Sequence, residues 1–318
     1  MENPIPTKAD LVATRELISP HIHRTPVLTS RLIDEIAGAS VFFKCENFQR
    51  MGAFKIRGAL SAVLRLSEED RSKGILTHSS GNFAQAVSLT GQLTDTAAYI
   101  VMPQNAPAVK KAAVRTYGGQ IIESGNSPTE REEMAAQVAR ETGGVFIHPS
   151  DDLRVILGNS VAAQELIDDI PDLDVIMAPV GGGGLIAGTA LAAHHFSDGA
   201  MVIGAEPKGA DDAYRSLRDG RIYPSENPQT ICDGLRTYLG QHNFPIIRKL
   251  VEEILLVADE DTLKALRLIY ERMKIIVEPS SAIVLAAILS NPHIFAGKRV
   301  GLIISGGNVD LNTLCAHW

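Results

Sequence analysis

The segment that decides the fold is Val175-Ile176-Met177-Ala178-Pro179-Val180-Gly181-Gly182-Gly183-Gly184. Its first six residues form a continuous apolar run, which is typical of a parallel strand buried on both faces. The four glycines let the backbone wrap closely around an anion, and a helix predicted at 185–195 adds the attraction of its N-terminus. The segment therefore predicts a strand, a phosphate-binding loop and a helix. It is not a Walker A loop, because no Gly-Lys-Ser/Thr follows it.

Short apolar runs and helical periodicity alternate on both sides of this segment. Strands are predicted at 41–45, 74–77, 97–102, 120–122, 145–147, 201–205 and 300–304, and helices at 8–22, 82–93, 107–117, 128–142, 153–170, 261–274 and 280–289. This alternation indicates an α/β fold with crossover connections between parallel strands. We expect two α/β lobes with parallel-rich twisted sheets. Residues 1–60 and 150–318 form the large lobe, and 61–149 form a small lobe inserted between its two parts.

Composition excludes several classes of protein. The 318 residues carry a net charge of −7 without a long basic run, which argues against nucleic-acid and anionic-membrane partners. No run of about 18 apolar residues is present, and residues 1–4 do not begin a signal peptide. Cys45, Cys232 and Cys315 are odd in number and widely spaced, so each is expected to be a small buried hydrophobe. We expect a cytoplasmic, soluble protein.

Residues 46–60 place a lysine in apolar surroundings. Lys55 follows a glycine-containing turn and is flanked by Phe54, Ile56 and Leu60 at the predicted start of a helix. A desolvated lysine has a lowered pKa and can act as a nucleophile, Schiff-base former or base. The simpler interpretation is a surface lysine on an amphipathic helix.

Two polar turns follow predicted strands, where ligands bind in parallel sheets. In the first, Ser79, Ser80, Gly81 and Asn82 stand at a helix N-terminus, an arrangement suited to a carboxylate. In the second, Ser305 ends the last predicted strand and presents a hydroxyl at the same edge. Ordinary helix capping explains both turns equally simply.

An acidic segment follows the predicted strand 201–205. Glu206 and either Asp211 or Asp212 offer oxygen ligands to a hard cation, with a backbone carbonyl between them. An acidic helix N-terminus is the simpler explanation from the residues alone. Gly182, Gly184 and Ala187 also match a dinucleotide-binding fingerprint, with Glu206 as its acidic partner. A nicotinamide-dependent oxidoreductase is therefore an alternative class.

Four motifs in order resemble one family over almost the whole chain. They are Phe-Lys-Ile-Arg-Gly-Ala at 54–59, Ser-Ser-Gly-Asn at 79–82, the tetraglycine at 181–184 and Ser-Gly-Gly-Asn at 305–308. Together they resemble the pyridoxal-phosphate enzymes of the tryptophan synthase β fold type, and within them the serine racemase and serine/threonine dehydratase group. The resemblance implies that fold, pyridoxal 5′-phosphate as cofactor and a homodimer.

The resemblance also implies a role for each matching residue. Lys55 would hold the cofactor aldehyde as a Schiff base and then serve as general base, with Phe54 near the pyridine ring. Ser305 would meet the pyridine nitrogen and leave it largely unprotonated, which suits elimination. The other implied cofactor contacts are Asn82, Gly181, Gly182, Gly183, Gly184 and Gly234. Ser79, Ser80, Gly81 and Asn82 would bind the substrate carboxylate. Glu206, the Ala210 carbonyl and Asp212 would bind Mg²⁺ (or Ca²⁺ or Mn²⁺).

The implied reaction is dehydration of a β-hydroxy amino acid to a 2-oxo acid and ammonia. Ser80 matches a proton-relaying serine of the racemases, so serine or aspartate racemisation is the alternative on the same scaffold. Arg131 matches an arginine that can pair with a second carboxylate, which adds 3-hydroxyaspartate to serine and threonine as candidate substrates. Phe83, Asn159 and Met51 depart from the residues usual in this group.

Overall fold

The computed structural model describes residues 5–311 and residue 314, so Cys315 lies outside the described residues. The helices are α1 Lys8–Ile18, α2 Arg31–Ala37, α3 Lys55–Leu64, α4 Glu68–Ser72, α5 Asn82–Leu93, α6 Ala108–Thr116, α7 Pro128–Thr142, α8 Leu153–Asp169, α9 Gly184–Phe196, α10 Asp212–Asp219, α11 Phe244–Leu250, α12 Asp259–Met273, α13 Pro279–Ser290 and α14 Pro292–Phe295. The strands are β1 Val27–Leu28, β2 Ser40–Cys45, β3 Ile75–His78, β4 Ala98–Pro103, β5 Gln120–Ser124, β6 Val145–Phe146, β7 Val175–Pro179, β8 Met201–Pro207, β9 Glu253–Val257 and β10 Arg299–Ile304.

The larger sheet has six strands in the order β1-β2-β10-β7-β8-β9. Every neighbouring pair in it is parallel except β1 with β2. Each residue of β7 is buried, as the continuous apolar run predicts, because the strand lies inside the sheet with hydrophobic clusters on both faces. The carboxyl ends of β7, β8 and β10 therefore open toward one edge, where ligands bind in such sheets.

The smaller sheet has four parallel strands in the order β5-β4-β3-β6. All four lie within residues 75–146 and so inside the segment predicted as an inserted lobe. The predicted boundaries of the two lobes stay a prediction. The prediction of an α/β fold with two parallel-rich sheets is confirmed.

Helices α3, α8 and α9 pack closely behind the site, and glycines make this possible. A side chain at Gly158 of α8 would come within 2.3 Å of the Arg57 carbonyl of α3, and one at Gly188 of α9 within 2.7 Å of the Ile156 carbonyl. Contacts under 3.0 Å do not occur for real side chains, so both positions need glycine. The backbones of the three helices thereby approach one another directly.

A buried network of charges fixes α3 in this packing. The Arg57 guanidinium makes bidentate pairs with Glu46 (2.7 and 2.8 Å) and with Glu165 of α8 (2.8 and 2.9 Å). Lys44 of β2 lies 2.7 Å from Glu165 and donates to the Thr25 carbonyl at 2.6 Å. Two cations face two carboxylates, so the network is neutral, as burial of charge requires.

The observed elements differ from the predicted ones in a few places. The first helix ends at Ile18 and continues as a 3₁₀ turn through His21, because Pro20 removes a backbone donor. Sequence periodicity did not indicate α2, α10, α11 or β9, which are short elements of five to eight residues. Cys45 and Cys232 are buried and unpaired, as expected. Among the described residues, no helix combines the length and apolar character that a bilayer crossing requires.

Candidate active site

Lys55 is the first residue of α3 and lies beside the end of β10. The turn that precedes it has two residues with positive φ, Met51 at 54° and Gly52 at 75°. After this turn, Ala53 forms an antiparallel bridge with Gly306, and the Phe54 amide donates to the Ser305 carbonyl at 2.9 Å. The 52–54 segment is thus paired to the end of β10, which brings Lys55 and Ser305 into one site.

The Lys55 amine has an aromatic and low-polarity environment. Its Nζ donates to the Pro149 carbonyl at 3.1 Å and lies 4.9 Å from the Phe54 ring centroid and 5.7 Å from that of Phe83. Burial of the amine lowers its pKa from 10.5 to about 8, and Glu278 acts in the opposite direction. About a tenth of the amine is therefore neutral at pH 7, far more than for an ordinary lysine, and the neutral form is the one that attacks an aldehyde.

The polar turn between β3 and α5 contains the predicted carboxylate site. Ser79, Ser80 and Gly81 connect the end of β3 to Asn82, the first residue of α5. The Gly81 amide donates to Ser79 Oγ at 3.3 Å, and Gly81 itself has open space where a side chain would stand. The free amides at the start of α5, a helix of 12 residues, face this turn. The arrangement can bind a carboxylate.

Glu278 is a site residue that the sequence analysis missed. Asn82 Nδ2 donates to both of its carboxylate oxygens at 3.1 and 3.2 Å, and Asn308 Nδ2 donates to Asn82 Oδ1 at 2.9 Å. Burial, together with the charge of Asp233, raises the pKa of Glu278 to about 7. An acid directly before α13, a helix that is buried from Pro279 to Ile288, was the available signal, because such an acid does not face solvent.

Ser305 directly follows β10 and is 3% exposed, so its hydroxyl must find partners inside the protein. Its Oγ lies 2.9 Å from Ser281 Oγ, which also accepts from the Gly306 amide. Ser281 Oγ also lies 2.8 Å from the Gly306 carbonyl, so the Ser281 proton can go either to that carbonyl or to Ser305. When it goes to Ser305, the Ser305 hydroxyl can donate to a ring nitrogen.

The tetraglycine loop forms a cradle that side chains would fill. A Cβ at Gly181 would lie 2.8 Å from Leu235 Cα, and one at Gly182 would lie 2.4 Å from Ser150 Oγ. Gly183 has φ of 82°, and its Cβ would lie 2.8 Å from Asn243 Oδ1. The loop ends at the N-terminus of α9, a helix of 13 residues. Backbone amides in this setting fit a phosphate group.

Gly234 lies next to this cradle, in a single 3₁₀ turn over Asp233–Leu235. Its amide donates to Ser280 Oγ at 3.2 Å, and its carbonyl would lie 3.0 Å from a Cβ at Gly181. A Cβ on Gly234 itself would come within 3.1 Å of Ser280 Oγ. The structure therefore brings Gly234 together with the loop, and its contact with the cofactor stays a prediction.

The predicted metal ligands lie at the end of β8 and the start of α10. Both oxygens of Glu206 accept backbone amides, from Ala213 at 2.8 Å and Tyr214 at 2.7 Å, which is the helix-terminus role considered above. Asp212 is 1% exposed, and neither of its carboxylate oxygens has a hydrogen-bond partner among the described residues. Such an oxygen pair beside a second carboxylate fits a hard cation.

Arg131 lies in the first half of α7, close to the carboxylate turn. Its Nε is buried without a hydrogen-bond partner in the described part of the chain. The pKa of His78, the residue before Ser79, is lowered by burial and then by the charge of Arg131. An unpaired guanidinium nitrogen beside this turn is suited to a second substrate carboxylate.

This geometry, a buried lysine and a glycine-rich loop at one edge of a parallel sheet, is suited to an enzyme that binds a phosphorylated aldehyde, and comparisons with known proteins agree with it. The chain matches the family of pyridoxal-phosphate dependent enzymes over residues 18–306. It is 48% identical over 310 residues to the beta-hydroxyaspartate dehydratase of Paracoccus denitrificans (strain Pd 1222), covering 98% of each. It is 44% identical over 308 residues to the L-threo-3-hydroxyaspartate ammonia-lyase of Saccharomyces cerevisiae, covering 96% of this chain and 94% of the relative.

Among solved structures, that of maize serine racemase superposes with a TM-score of 0.94 at 43% identity, covering 99% of this chain and 97% of the other. The chain therefore belongs to the family of pyridoxal-phosphate dependent enzymes, as the sequence predicts. The prediction of pyridoxal phosphate as cofactor is confirmed at this level, and the nicotinamide alternative has no support. The relatives include both activities that the sequence predicts, dehydration and racemisation.

Proposed function

We propose that the chain is a pyridoxal-phosphate-dependent dehydratase of β-hydroxy amino acids, with 3-hydroxyaspartate as its preferred class of substrate. The observation that carries the proposal is the convergence of Lys55, the carboxylate turn and Ser305 on one edge, with the unpartnered Nε of Arg131 beside them. The names of the Paracoccus and yeast relatives support the same choice. Serine and threonine are secondary candidates, because they lack the second carboxylate.

The protein's own groups supply binding, orientation and proton transfer. Pyridoxal phosphate, when bound, stabilises negative charge at the substrate Cα. The tetraglycine amides would hold its phosphate, and Ser305 would meet its ring nitrogen. The turn from Ser79 to Asn82 binds the α-carboxylate, and Arg131 binds the distal one. The Lys55 amine, with its lowered pKa, then removes the Cα proton.

Amino-acid racemisation is the second candidate, and Ser80 favours it. A hydroxyl in the carboxylate turn can relay a proton on the side of the substrate away from Lys55, which inversion at Cα requires. We expect Ser80→Ala to abolish exchange between enantiomers while ammonia release continues. Chiral chromatography and 2-oxo acid assays on the same sample measure both. Equal loss of both would contradict a separate role for Ser80.

A divalent cation, Mg²⁺ or Ca²⁺, is proposed at Glu206, Asp212 and the Ala210 carbonyl. The support is the pair of buried, unpartnered oxygens of Asp212. This site lies at the start of α10, so the ion would order that helix and take no part in bond breaking. We expect chelation to lower the thermal midpoint of the protein and Asp212→Asn to remove that response.

A homodimer is proposed from the exposed apolar side chains of the surface, and the cytoplasmic location stays a prediction. Leu32 and Ile36 lie one turn apart on α2 and are 51% and 56% exposed, and Ile276 is 54% exposed. Side chains of this size on one helix face favour contact with a second protein surface. Sedimentation velocity tests the dimer, and Leu32→Lys with Ile36→Lys should give a monomer.

One experiment tests the main proposal. Serine, threonine and each isomer of 3-hydroxyaspartate are offered to the holoenzyme with and without Mg²⁺, and ammonia and 2-oxo acid are measured. We expect 3-hydroxyaspartate to give the largest kcat/KM. Lys55→Ala should abolish both turnover and the visible absorption of the bound cofactor. Retention of either in that variant, or no ammonia from any substrate, would overturn the proposal.

A further inference from the structure

Asn243 is a fully buried side chain that contacts the tetraglycine loop. Its Nδ2 donates to the Gly182 carbonyl at 2.8 Å and to the Ser150 carbonyl at 3.2 Å. Its Oδ1 accepts from the Gly240 amide at 3.0 Å. Both ends of the amide are thus satisfied, so the side chain has one orientation. No sequence motif marked this residue, because its partners lie about 60 and 90 positions away.

The contact with Gly182 decides which way the next amide points. The described peptide bonds are all trans, so the carbonyl of Gly182 and the amide of Gly183 point in opposite directions. Since Asn243 holds the carbonyl on its own side, the Gly183 amide faces away from it and into the cradle. Without this bond, a glycine-rich segment could rotate that peptide at little cost.

The next residues continue the same concave surface. Gly183 has a left-handed backbone, and Gly184 begins α9 with right-handed geometry. Successive residues of opposite hand direct their amides toward a common point, which is the geometry of an anion nest. Among the described residues, the amides of Gly182, Gly183 and Gly184 donate to no backbone or side-chain acceptor. They are therefore available to an anion.

The other partner of Asn243 connects this loop to Lys55. Ser150 belongs to the 148–151 turn. In this turn the Pro149 carbonyl accepts a hydrogen bond from Lys55 Nζ. The Asp151 carboxylate accepts three backbone amides, those of Gln241, His242 and Asn243. His148 Nδ1 accepts the Ser150 and Asp151 amides at 3.2 and 2.7 Å. Burial lowers the pKa of His148 to about 4, which keeps this acceptor unprotonated. The turn is therefore rigid.

We propose that Asn243 is a positioning residue for the cofactor phosphate, because it fixes the peptide that turns the Gly183 amide into the cradle. The inference rests on the proposed function, in that the anion is the phosphate of pyridoxal phosphate. Asn243 touches neither the phosphate nor the substrate, since both ends of its amide are already bonded to backbone groups. It acts through Gly182.

The test compares two ligands that differ only in the phosphate, pyridoxal 5′-phosphate and pyridoxal. Apoenzyme is titrated with each, and dissociation constants are measured by fluorescence for the natural sequence and for Asn243→Ser. Serine is a common N-cap residue and is compatible with the start of α11, but its hydroxyl is too short to replace the bond to Gly182. The matched control is Asn291→Ser. It removes a side-chain hydrogen bond of 2.9 Å from Asn291 Nδ2 to the Ala287 carbonyl, remote from the loop.

We expect Asn243→Ser to weaken pyridoxal phosphate binding by about 10- to 100-fold, the range that one buried hydrogen bond spans, and to leave pyridoxal binding within about threefold. Equal weakening of both ligands, or no change for pyridoxal phosphate, would overturn the positioning role. If Asn243→Ser does not fold, Asn243→Asp keeps the shape and lacks both donors. Equal affinity of the natural sequence for the two ligands would instead overturn the proposed cofactor site.

Discussion

Asn82 and Glu278 lie 196 residues apart in sequence, and the Asn82 amide nitrogen donates to both carboxylate oxygens of Glu278. Asn308 donates to the other end of the same amide, so nitrogen and oxygen of Asn82 are distinguished by their partners. Glu278 and Asn308 together hold the Asn82 side chain, an implied cofactor contact, in one orientation.

Glu278 makes the stability of the apoenzyme depend on pH. Its folded pKa of about 7 lies above the ordinary 4.5, so the native state binds its proton more tightly than the unfolded chain does. The contribution of protonated Glu278 to the free energy of unfolding is therefore fully present below pH 4.5 and is lost as the pH rises to 7. We expect Glu278→Gln, which keeps an acceptor for Asn82, to stabilise the apoenzyme by about 2–3 kcal/mol at pH 8.

Urea denaturation of the apoenzyme at a series of pH values measures this difference. The gain from Glu278→Gln should shrink as pH falls from 7 and vanish near 4.5. Glu271→Gln, at an exposed ion pair with Arg267, is the control. A gain that stays constant with pH would show that the carboxylate is not the cause.

At Gly183, a left-handed backbone and close neighbouring atoms both disfavour a side chain. Gly199 has the left-handed backbone without the close neighbours, so it measures the backbone effect alone. Gly199 has nearly the same φ, 84° against 82°, but nothing lies within 4 Å of its added Cβ. We expect Gly199→Ala to cost about 1 kcal/mol from backbone strain alone. Gly183→Ala would in addition displace Leu239 or Asn243, so it should also weaken pyridoxal phosphate binding at least tenfold.

Thermal melts of the apoenzyme and cofactor titrations distinguish these outcomes. If the two variants lose the same stability and Gly183→Ala binds cofactor normally, the loop does not depend on its packing.

Arg57 holds two buried carboxylates, and removing it leaves both without their partner. We expect Arg57→Ala to destabilise the protein by about 3–5 kcal/mol, the cost of an uncompensated buried charge. Arg267→Ala breaks an exposed pair of the same 2.7 Å length with Glu271 and should cost under about 0.5 kcal/mol. Chemical denaturation measures both. Similar losses for the two variants would contradict the importance of burial.

The Lys55 amine should react as a weak base in the apoenzyme. Competitive labelling with acetic anhydride between pH 6 and 11, read by mass spectrometry, should give a midpoint near pH 8 for this residue. Only the neutral amine reacts, so its labelling falls as pH drops below that value. A midpoint near 10.5 would mean that burial does not affect the amine.

Arg131 should separate dicarboxylic from monocarboxylic substrates. We expect Arg131→Met to lower kcat/KM for 3-hydroxyaspartate by about 10- to 100-fold, the worth of one charge-assisted hydrogen bond, with little change for serine. Arg140→Met changes an exposed arginine of the same helix and serves as control. An equal loss for both substrates would assign Arg131 a structural role.

Local sequence predicted the elements that carry their own signal. The bounds of α5 and α7 agree with prediction, because a polar turn and a serine cap mark where each begins. The apolar run of β7 and the glycines after it predicted the phosphate loop. Lys55 was recognisable only through the other motifs, since its neighbours alone suit a surface helix equally well.

The residues that orient these groups could not be predicted in the same way. Glu278 and Asn243 act through partners that folding alone brings near, and neither belongs to a spaced motif. The two roles of Glu206 also illustrate the limit: the residue types alone favour a helix terminus over a cation site, and the structure shows its oxygens on the α10 amides.

Strand β10 lies between β2 and β7 in the centre of the six-stranded sheet, although it is the last strand in the described part of the chain. During synthesis, β2 and β7 leave the ribosome long before residues 299–304. The edge of each strand that pairs with β10 therefore stays unpaired until β10 is made. Such edges pair with other chains when they stay open. Ser305 emerges only then as well, so the nascent protein acquires its central strand and its cofactor site together, and a chain that stops before residue 299 can have neither.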